Sequence, residues 1–334
     1  MTSSKVKVSI IGITGFTGTE LLRVLLQHPD IEITGLISRQ HENTKLGELF
    51  PRLGHHQDLK ITNEEPEKVA EKSDVVFLCL PHMASQNIVP KMLGKTRIID
   101  LSADFRLKSV NDFKTYYHED HTCPEHLDET FIYGLPELYR EEIKAADYVA
   151  NPGCFALLAQ IMLWPFQGQI EQADWIGVSG TSGGGKKARD PAEHPALSQN
   201  MKSYLVNNHR HIPEILQSCR ISKDKLNFMP SVGPFLRGIF ATSFIKSPVS
   251  LDTLRKSYRD EPFIRPKDTV EMSHVVSTNF LDISYSAGEN DTIIAQAALD
   301  NLMKGASGNA VQNMNLMFGI EESKGLYFDT AIYP

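Results

Sequence analysis

The segment that most constrains this chain is its first. Val6–Ile11 is a short apolar run with the composition of a buried strand, and it opens onto Gly12-Ile13-Thr14-Gly15-Phe16-Thr17-Gly18. Glu20–Gln27 then carries leucines on one side at helical spacing. A strand, a glycine turn and a helix in that order let the backbone approach a pyrophosphate, whose charge meets the N–H groups at the helix start. The spacing Gly12-x-x-Gly15-x-x-Gly18 is a variant of the dinucleotide-binding fingerprint, and its place between strand and helix gives it weight. The same residues also fit a tight turn that binds nothing.

The alternation continues through the N-terminal half. Ile31–Ile37, Asp74–Leu80 and Arg97–Leu101 read as strands, with a helical stretch around Ser85–Met92. This predicts an α/β fold with a Rossmann-type, doubly wound parallel sheet, whose ligands sit at the carboxyl ends of the strands. Leu80-Pro81-His82 and Asp100–Arg106 fall at such ends. The second strand ends in Ser38 and Arg39, where an NAD-specific site usually offers a carboxylate to the ribose. Those two side chains suit a 2′-phosphate, so the expected cofactor is NADP(H); an arginine simply in solvent is the alternative.

From about Asn151 the pattern changes. Asp174–Gly180, Lys225–Met229, Ile239–Ile245 and Phe280–Ser286 are strand candidates among long loops, which predicts a second domain of mixed sheet. Asp291–Ile320 reads as helical, from the spacing of Ile294, Ala297, Ala298 and Leu302, and is expected to rejoin the first domain. The expected division is residues 1–150 with about 305–334 as the cofactor domain, and 151–304 as the catalytic and oligomerisation domain. A length of 334 residues fits two domains. Acidic residues outnumber basic ones, 41 to 34, which argues against a nucleic-acid surface. No apolar run reaches the ~20 residues of a bilayer crossing, and no secretory leader is evident. Four cysteines without a CxxC signal neither a disulfide framework nor a zinc knuckle. A cytoplasmic protein with no membrane partner is expected.

Cys154 follows Asn151-Pro152-Gly153 and opens the apolar stretch Phe155–Trp164, which stops at Pro165. A cysteine at a helix N-terminus is held by the backbone dipole toward thiolate, the nucleophilic form. The other reading is an inert cysteine at the start of a core helix. A thiolate beside a reduced nicotinamide suits one reaction class: attack on an activated acyl carbon, departure of the leaving group, and reduction of the thioester to an aldehyde. The required acid/base is sought in Asn208-His209-Arg210-His211-Ile212-Pro213-Glu214, where His209 and His211 are both candidates. The pair lacks a third neighbouring ligand, so no metal site is expected. Gly180-Thr181-Ser182-Gly183-Gly184-Gly185-Lys186-Lys187 is a glycine-rich loop at a strand end that could approach cofactor or cysteine closely.

Taken together, these segments resemble N-acetyl-γ-glutamyl-phosphate reductase of the semialdehyde dehydrogenase group over nearly the whole chain. The likeness runs through the glycine turn with Phe16, Leu80-Pro81-His82, Asp100–Arg106, Tyr133–Glu137, Asn151–Cys154, Ser179–Gly185, Tyr204–Glu214, Arg237-Gly238-Ile239 and Asp300–Ala306. It implies an α+β catalytic and dimerisation domain of the semialdehyde dehydrogenase type. It also implies NADPH-dependent reduction of the acylphosphate to the semialdehyde, with release of phosphate, in a homodimer or homotetramer. The resemblance assigns Cys154 as nucleophile, with His211 and His209 as acid/base and substrate contacts. Arg106, Tyr204 and Arg237 are implied at the substrate or its phosphate. Gly12, Thr14, Gly15, Phe16, Thr17, Gly18, Ser38, Arg39, Pro81, Ser182, Gly183 and Asn313 are implied at the cofactor. The sequence departs from the family pattern at Phe155-Ala156-Leu157, at Met229-Pro230-Ser231 and at Gly184-Gly185-Lys186. Three other readings stand beside it: a reductase for carrier-protein-linked aminoadipyl phosphate in lysine biosynthesis, an aspartate-semialdehyde dehydrogenase, and a non-catalytic NADP-binding sensor.

Overall fold

The first strand, β1 (Val6–Ile11), lies between β2 (Ile31–Ile37) and β3 (Val75–Leu78), parallel to both. With β4 (Arg97–Asp100), β5 (Ile132–Tyr133) and β6 (Tyr148–Ala150) they form a six-stranded parallel sheet in the order β2-β1-β3-β4-β6-β5. Parallel sheets are covered on both faces, and the unbroken apolar run of β3, every residue buried, reflects that. The order reverses between β1 and β3, and the crevice at the carboxyl ends of those strands is where such sheets take ligands. The computed structural model describes residues 5–127, 130–185 and 199–327.

The three glycines of the turn have different physical reasons. Gly12 has φ +95°, and a Cβ there would stand 2.3 Å from the carbonyl oxygen of Cys79, which directly follows β3. At Gly18 a Cβ would stand 2.4 Å from the Gly12 carbonyl oxygen. Both are demanded by the fold. At Gly15, the N-cap of the helix Phe16–Leu25, a Cβ would meet nothing nearer than 3.7 Å. The expected helix around Ser85–Met92 is instead two short 3₁₀ turns, Ser85–Asn87 and Val89–Lys91. Pro90 has no N–H to continue a helix and disfavours helical geometry at Val89.

The later strands are β7 (Gln172–Ser179), β8 (Lys202–Ser203), β9 (Leu226–Val232), β10 (Ile239–Lys246), β11 (Ile264–Pro266), β12 (Leu281–Ala287) and β13 (Thr292–Leu299). They make a seven-stranded mixed sheet in the order β11-β12-β13-β10-β7-β9-β8. Here the helical reading of Asp291–Ile320 fails in its first part. Thr292–Leu299 is a strand, antiparallel to both β10 and β12. Ile293, Ala295, Ala297 and Leu299 alternate into the core, a period of two that the sequence also carries. Helix resumes after a π-type turn at Met303–Ser307, as Gly308–Met317.

One face of this sheet is packed by the helix Cys154–Leu163, whose residues from Phe155 onward are all buried. Its sequence is rich in strong helix formers, and Pro165 sits in the 3₁₀ turn that follows. Trp175 and Phe228 stack beneath it with ring centroids 4.5 Å apart, and Phe155 meets Trp175 edge-on at 5.5 Å. Gln160, the helix's one amide, donates to the Glu214 carbonyl oxygen (2.8 Å) and to Ser218 Oγ (3.1 Å), tying it to the helix Ile212–Cys219. Among the described residues no helix is long and apolar enough to cross a membrane.

The chain forms two units. One takes in the chain up to Val110, Asp120–Asn151 and Ala310–Leu326; the other takes in Asn111–Glu119, Pro152–Asn309 and the chain from Tyr327. The contrast among the turn glycines gives a direct test by urea unfolding. Gly12→Ala should lower the unfolding free energy by ~1–3 kcal/mol, the cost of a strained backbone. Gly15→Ala, at an ordinary φ with open space, should change it by less than ~1 kcal/mol.

Candidate active site

Cys154 is the first residue of its helix, partly exposed, with Gly153 as N-cap. The lack of a Cβ at Gly153 is required by a neighbour: a Cβ there would lie 2.3 Å from His211 Nε2. The His211 imidazole therefore rests against the backbone immediately before Cys154. The Gly153 N–H donates to Glu214 Oε2 (3.0 Å), and Glu214 is wholly buried. His211 is the N-cap of the helix Ile212–Cys219, which puts Glu214 in the first turn of that same helix.

His209 and His211 are edge to face, 4.6 Å between ring centroids. The His211 backbone N–H donates to His209 Nδ1 (3.1 Å), which leaves the proton of a neutral His209 on Nε2. Burial, helped by the Arg210 charge, pushes the His209 pKa down to about 4. His209 is thus neutral at pH 7. The Tyr204 ring lies 5.6 Å from His209. Burial and the Cys154 charge push its phenol up to about 12, with Arg210 opposing. Tyr204 accordingly keeps its proton near neutral pH. Cys154, Tyr204, His209, His211 and Glu214 all belong to one unit.

Ser182 Oγ donates to the Leu236 carbonyl oxygen (2.6 Å) and accepts from Asn301 Nδ2 (2.9 Å). Gly183 is exposed beside it in the 3₁₀ turn Thr181–Gly184, while Lys186 and Lys187 lie outside the described residues. Arg237 makes a two-point ion pair with the buried Asp300, Nε to Oδ2 at 2.9 Å and Nη2 to Oδ1 at 3.1 Å. Cys123 and Cys219 are buried, and burial pushes both thiols up, Cys123 to about 11.

In the other unit, Thr14, Gly15, Phe16 and Thr17 are partly exposed at the start of the first helix. Ser38 is buried at the end of β2, its N–H on the Thr62 carbonyl oxygen (3.0 Å), and Arg39 beside it is exposed. Pro81 is exposed after β3. Arg106 is buried, with Nε on the Asn151 carbonyl oxygen (2.8 Å) and Nη2 on that of Leu101 (2.9 Å). Its segment is held by carboxylates. Asp100 accepts from Ser85 Oγ (2.8 Å), and Asp104 takes the N–H groups of Met83 (2.7 Å) and Gln86 (3.1 Å). Burial and the Asp104 charge push Asp100 up to about 7. Asn313 is buried; its Nδ2 donates to the Gly134 carbonyl oxygen (2.9 Å) and to Asn151 Oδ1 (3.2 Å). Its Oδ1 is buried and accepts no hydrogen bond among the described residues.

Residues 7–146 match the semialdehyde dehydrogenase NAD-binding domain, and residues 154–301 match the semialdehyde dehydrogenase dimerisation domain. The chain belongs to the semialdehyde dehydrogenase family. It is an enzyme of that family, a phosphorylating reductase with an NAD(P)-binding domain. The N-acetyl-γ-glutamyl-phosphate reductase of Methanosarcina barkeri is 40% identical over 96% of this chain and 98% of its own. A putative [LysW]-L-2-aminoadipate/[LysW]-L-glutamate phosphate reductase of Pyrococcus furiosus is 38% identical over 98% and 99%. Aspartate semialdehyde dehydrogenase of Candida albicans, solved with NADP, shares the fold with a TM-score of 0.70 at 13% identity, covering 94% of this chain and 99% of that one.

Two residues of this chain make contacts that its sequence motifs do not encode. Glu214 and Asp300 both lie inside segments that carry the family resemblance, but Gly153 and Arg237, which they bind, lie 61 and 63 residues away in the chain. Glu214 stands three residues after His211 in its own helix, but the N–H it takes belongs to the start of another helix, which spacing within its segment does not signal.

The state of His209 predicts an acid-sensitive fold. Its folded pKa is lowered from 6.5 to about 4, so as pH falls through this window the unfolded chain binds the proton first. Stability present above pH 6.5 should be lost progressively toward pH 4. His209→Asn, which keeps an acceptor for the His211 N–H, should flatten that part of a urea-midpoint profile.

Proposed function

We propose that the chain reduces N-acetyl-γ-glutamyl phosphate to N-acetylglutamate semialdehyde with NADPH, releasing phosphate, as a step of arginine biosynthesis. The observation that carries this reading is the His211 imidazole seated on Gly153, beside a cysteine at a helix N-terminus. Relatives named for this reaction match over nearly their whole length.

Before each turnover His211 takes the Cys154 thiol proton, and the helix N-terminus stabilises the resulting thiolate. Sγ attacks the acyl carbon; the C–O bond to phosphate breaks and phosphate leaves with the electron pair. Arg106, oriented by two backbone carbonyls, is suited to hold that leaving charge. The nicotinamide cofactor, when bound, supplies the hydride that takes the thioester to the aldehyde level. As the carbon–sulfur bond breaks, His211 returns its proton to the sulfur. His209, neutral and protonated at Nε2, and Tyr204, a phenol at neutral pH, serve as hydrogen-bond donors to substrate.

The cofactor assignment rests on three features of the chain. Gly15 leaves room at a helix start that the fold itself does not need, as a close-lying phosphate requires. Asn313 offers a buried carbonyl oxygen, suited to the amide of a nicotinamide ring. Ser38 and Arg39 follow β2 where a carboxylate would serve NADH, which favours NADPH. Gly15→Ala should therefore weaken NADPH binding at least about tenfold, read by fluorescence titration, with its stability changed by less than ~1 kcal/mol.

The deciding assay runs in reverse: N-acetylglutamate semialdehyde, phosphate and NADP⁺, followed as NADPH, beside the aspartate and carrier-linked aminoadipate semialdehydes. Turnover highest with the N-acetyl substrate supports the proposal. The aminoadipyl reading is favoured by the Pyrococcus relative, and turnover confined to the carrier-linked substrate would replace ours. Cys154→Ser should cost at least about a thousandfold in turnover with NADPH binding retained. Unaltered activity would end the covalent mechanism.

A homodimer is proposed through the open face of the seven-stranded sheet. Ile176 on β7 and Phe244 on β10 are exposed on the face opposite Trp175, with Val178 and Phe240 beside them. A second copy is the occupant, in keeping with the dimerisation domain matched by these residues. Phe244→Glu should yield a monomer by size-exclusion chromatography with light scattering.

A further inference from the structure

Asp300 directly follows β13 and is wholly buried. Besides the two-point pair with Arg237, its carboxylate accepts the backbone N–H groups of Ser277 (2.6 Å), Leu302 (2.8 Å) and Met303 (3.0 Å). Its carbonyl oxygen accepts the Gly305 N–H (2.9 Å). These bonds shape the wide turn Met303–Ser307, a π-type turn of the kind that often sits at functional sites. At Gly305 a Cβ would stand 2.9 Å from Cys154 Cβ and 3.2 Å from the Asp300 carbonyl oxygen. The turn is thus the wall against which Cys154 rests. Asn301, next in the chain, accepts the Gly238 N–H on Oδ1 (2.7 Å) and donates to Ser182 Oγ (2.9 Å), which fixes the glycine-rich loop from the same point.

We infer that Asp300, with Arg237 as its counter-ion, is a positioning residue for Cys154. It sets the turn that places Gly305 behind the nucleophile, and through Asn301 it holds that turn in register with the Ser182 loop. Arg237 then acts through Asp300 rather than by gripping substrate. A buried carboxylate stripped of its cation is costly to keep charged, so the turn depends on the pair and not on Asp300 alone. The inference rests on the reading of Cys154 as the nucleophile.

The test uses the full-length protein and three variants: Arg237→Lys, which keeps the charge but loses the two-point geometry; Asp300→Asn; and Gly305→Ala, which leaves the ion pair intact. Two quantities are read. One is the rate of Cys154 alkylation by iodoacetamide against pH, followed on the Cys154 peptide by mass spectrometry. The other is kcat against KM for the acylphosphate. We expect kcat to fall about tenfold or more in each variant, KM to stay within about twofold, and the alkylation profile to shift, because small misplacements of a reacting atom are costly. NADPH binding identifies the folded fraction to which rates are normalised. Gly305→Ala carries the test should the charge variants fold poorly. A wild-type alkylation profile in Gly305→Ala overturns the proposal. So does a raised KM in Arg237→Lys with kcat and alkylation unchanged, which would put Arg237 on the substrate. Failure of the underlying reading shows separately, as turnover retained by Cys154→Ser.

Discussion

The contact between the His211 imidazole and the bare Cα of Gly153 is the constraint from which the catalytic arrangement follows. Any side chain at position 153 would occupy the space of the ring. With hydrogen in its place, the imidazole can lie on the backbone that leads into Cys154, and the Gly153 N–H remains for Glu214. Pro152 and Gly153 therefore do more than start a helix. The helix behind them is almost wholly buried and tied to its neighbour by Gln160, so Cys154 is presented on a rigid element rather than on a loop.

A second regularity is the use of buried carboxylates as anchors for backbone. Asp104 holds Met83 and Gln86, Glu214 holds Gly153, and Asp300 holds Ser277, Leu302 and Met303. Charged acceptors make stronger hydrogen bonds than neutral ones, and a buried carboxylate must find donors to offset its lost hydration. The result is that turns, which usually carry the loosest backbone of a fold, are here pinned by charged acceptors. Asp100 shows the cost: burial, with the Asp104 charge beside it, raises its carboxyl above the ordinary range.

What could be read from the sequence was local. The glycine turn after β1 and the apolar helix after Pro152-Gly153-Cys154 have signals within a few residues of themselves. The stretch Thr292–Leu299 shows the limit. Ile293, Ala295, Ala297 and Leu299 alternate as a strand, while Ile294, Ala297, Ala298 and Leu302 recur as a helix, and a run so rich in apolar residues satisfies both periods. Pairing with β10 and β12 decides between them, and those partners are distant in the chain. Glu214 and Asp300 were hidden for the same reason. The proposed division of labour between His209 and His211 rests on one backbone N–H, which no spacing rule encodes.

Neither unit is a continuous stretch of chain, and this orders events during synthesis. The nucleotide-binding sheet is complete once Ala150 has been made, but its unit also takes Ala310–Leu326. Those last residues supply Asn313 to Gly134, Asn315 to His28 and Glu322 to Arg140. Domains usually fold as they leave the ribosome, N-terminal first. Here the first unit must wait, part-finished, until Pro152–Asn309 of the second has been translated. Cutting the gene near residue 150 would yield a sheet without its closing helix, so the two activities of binding cofactor and presenting a thiol are inherited together.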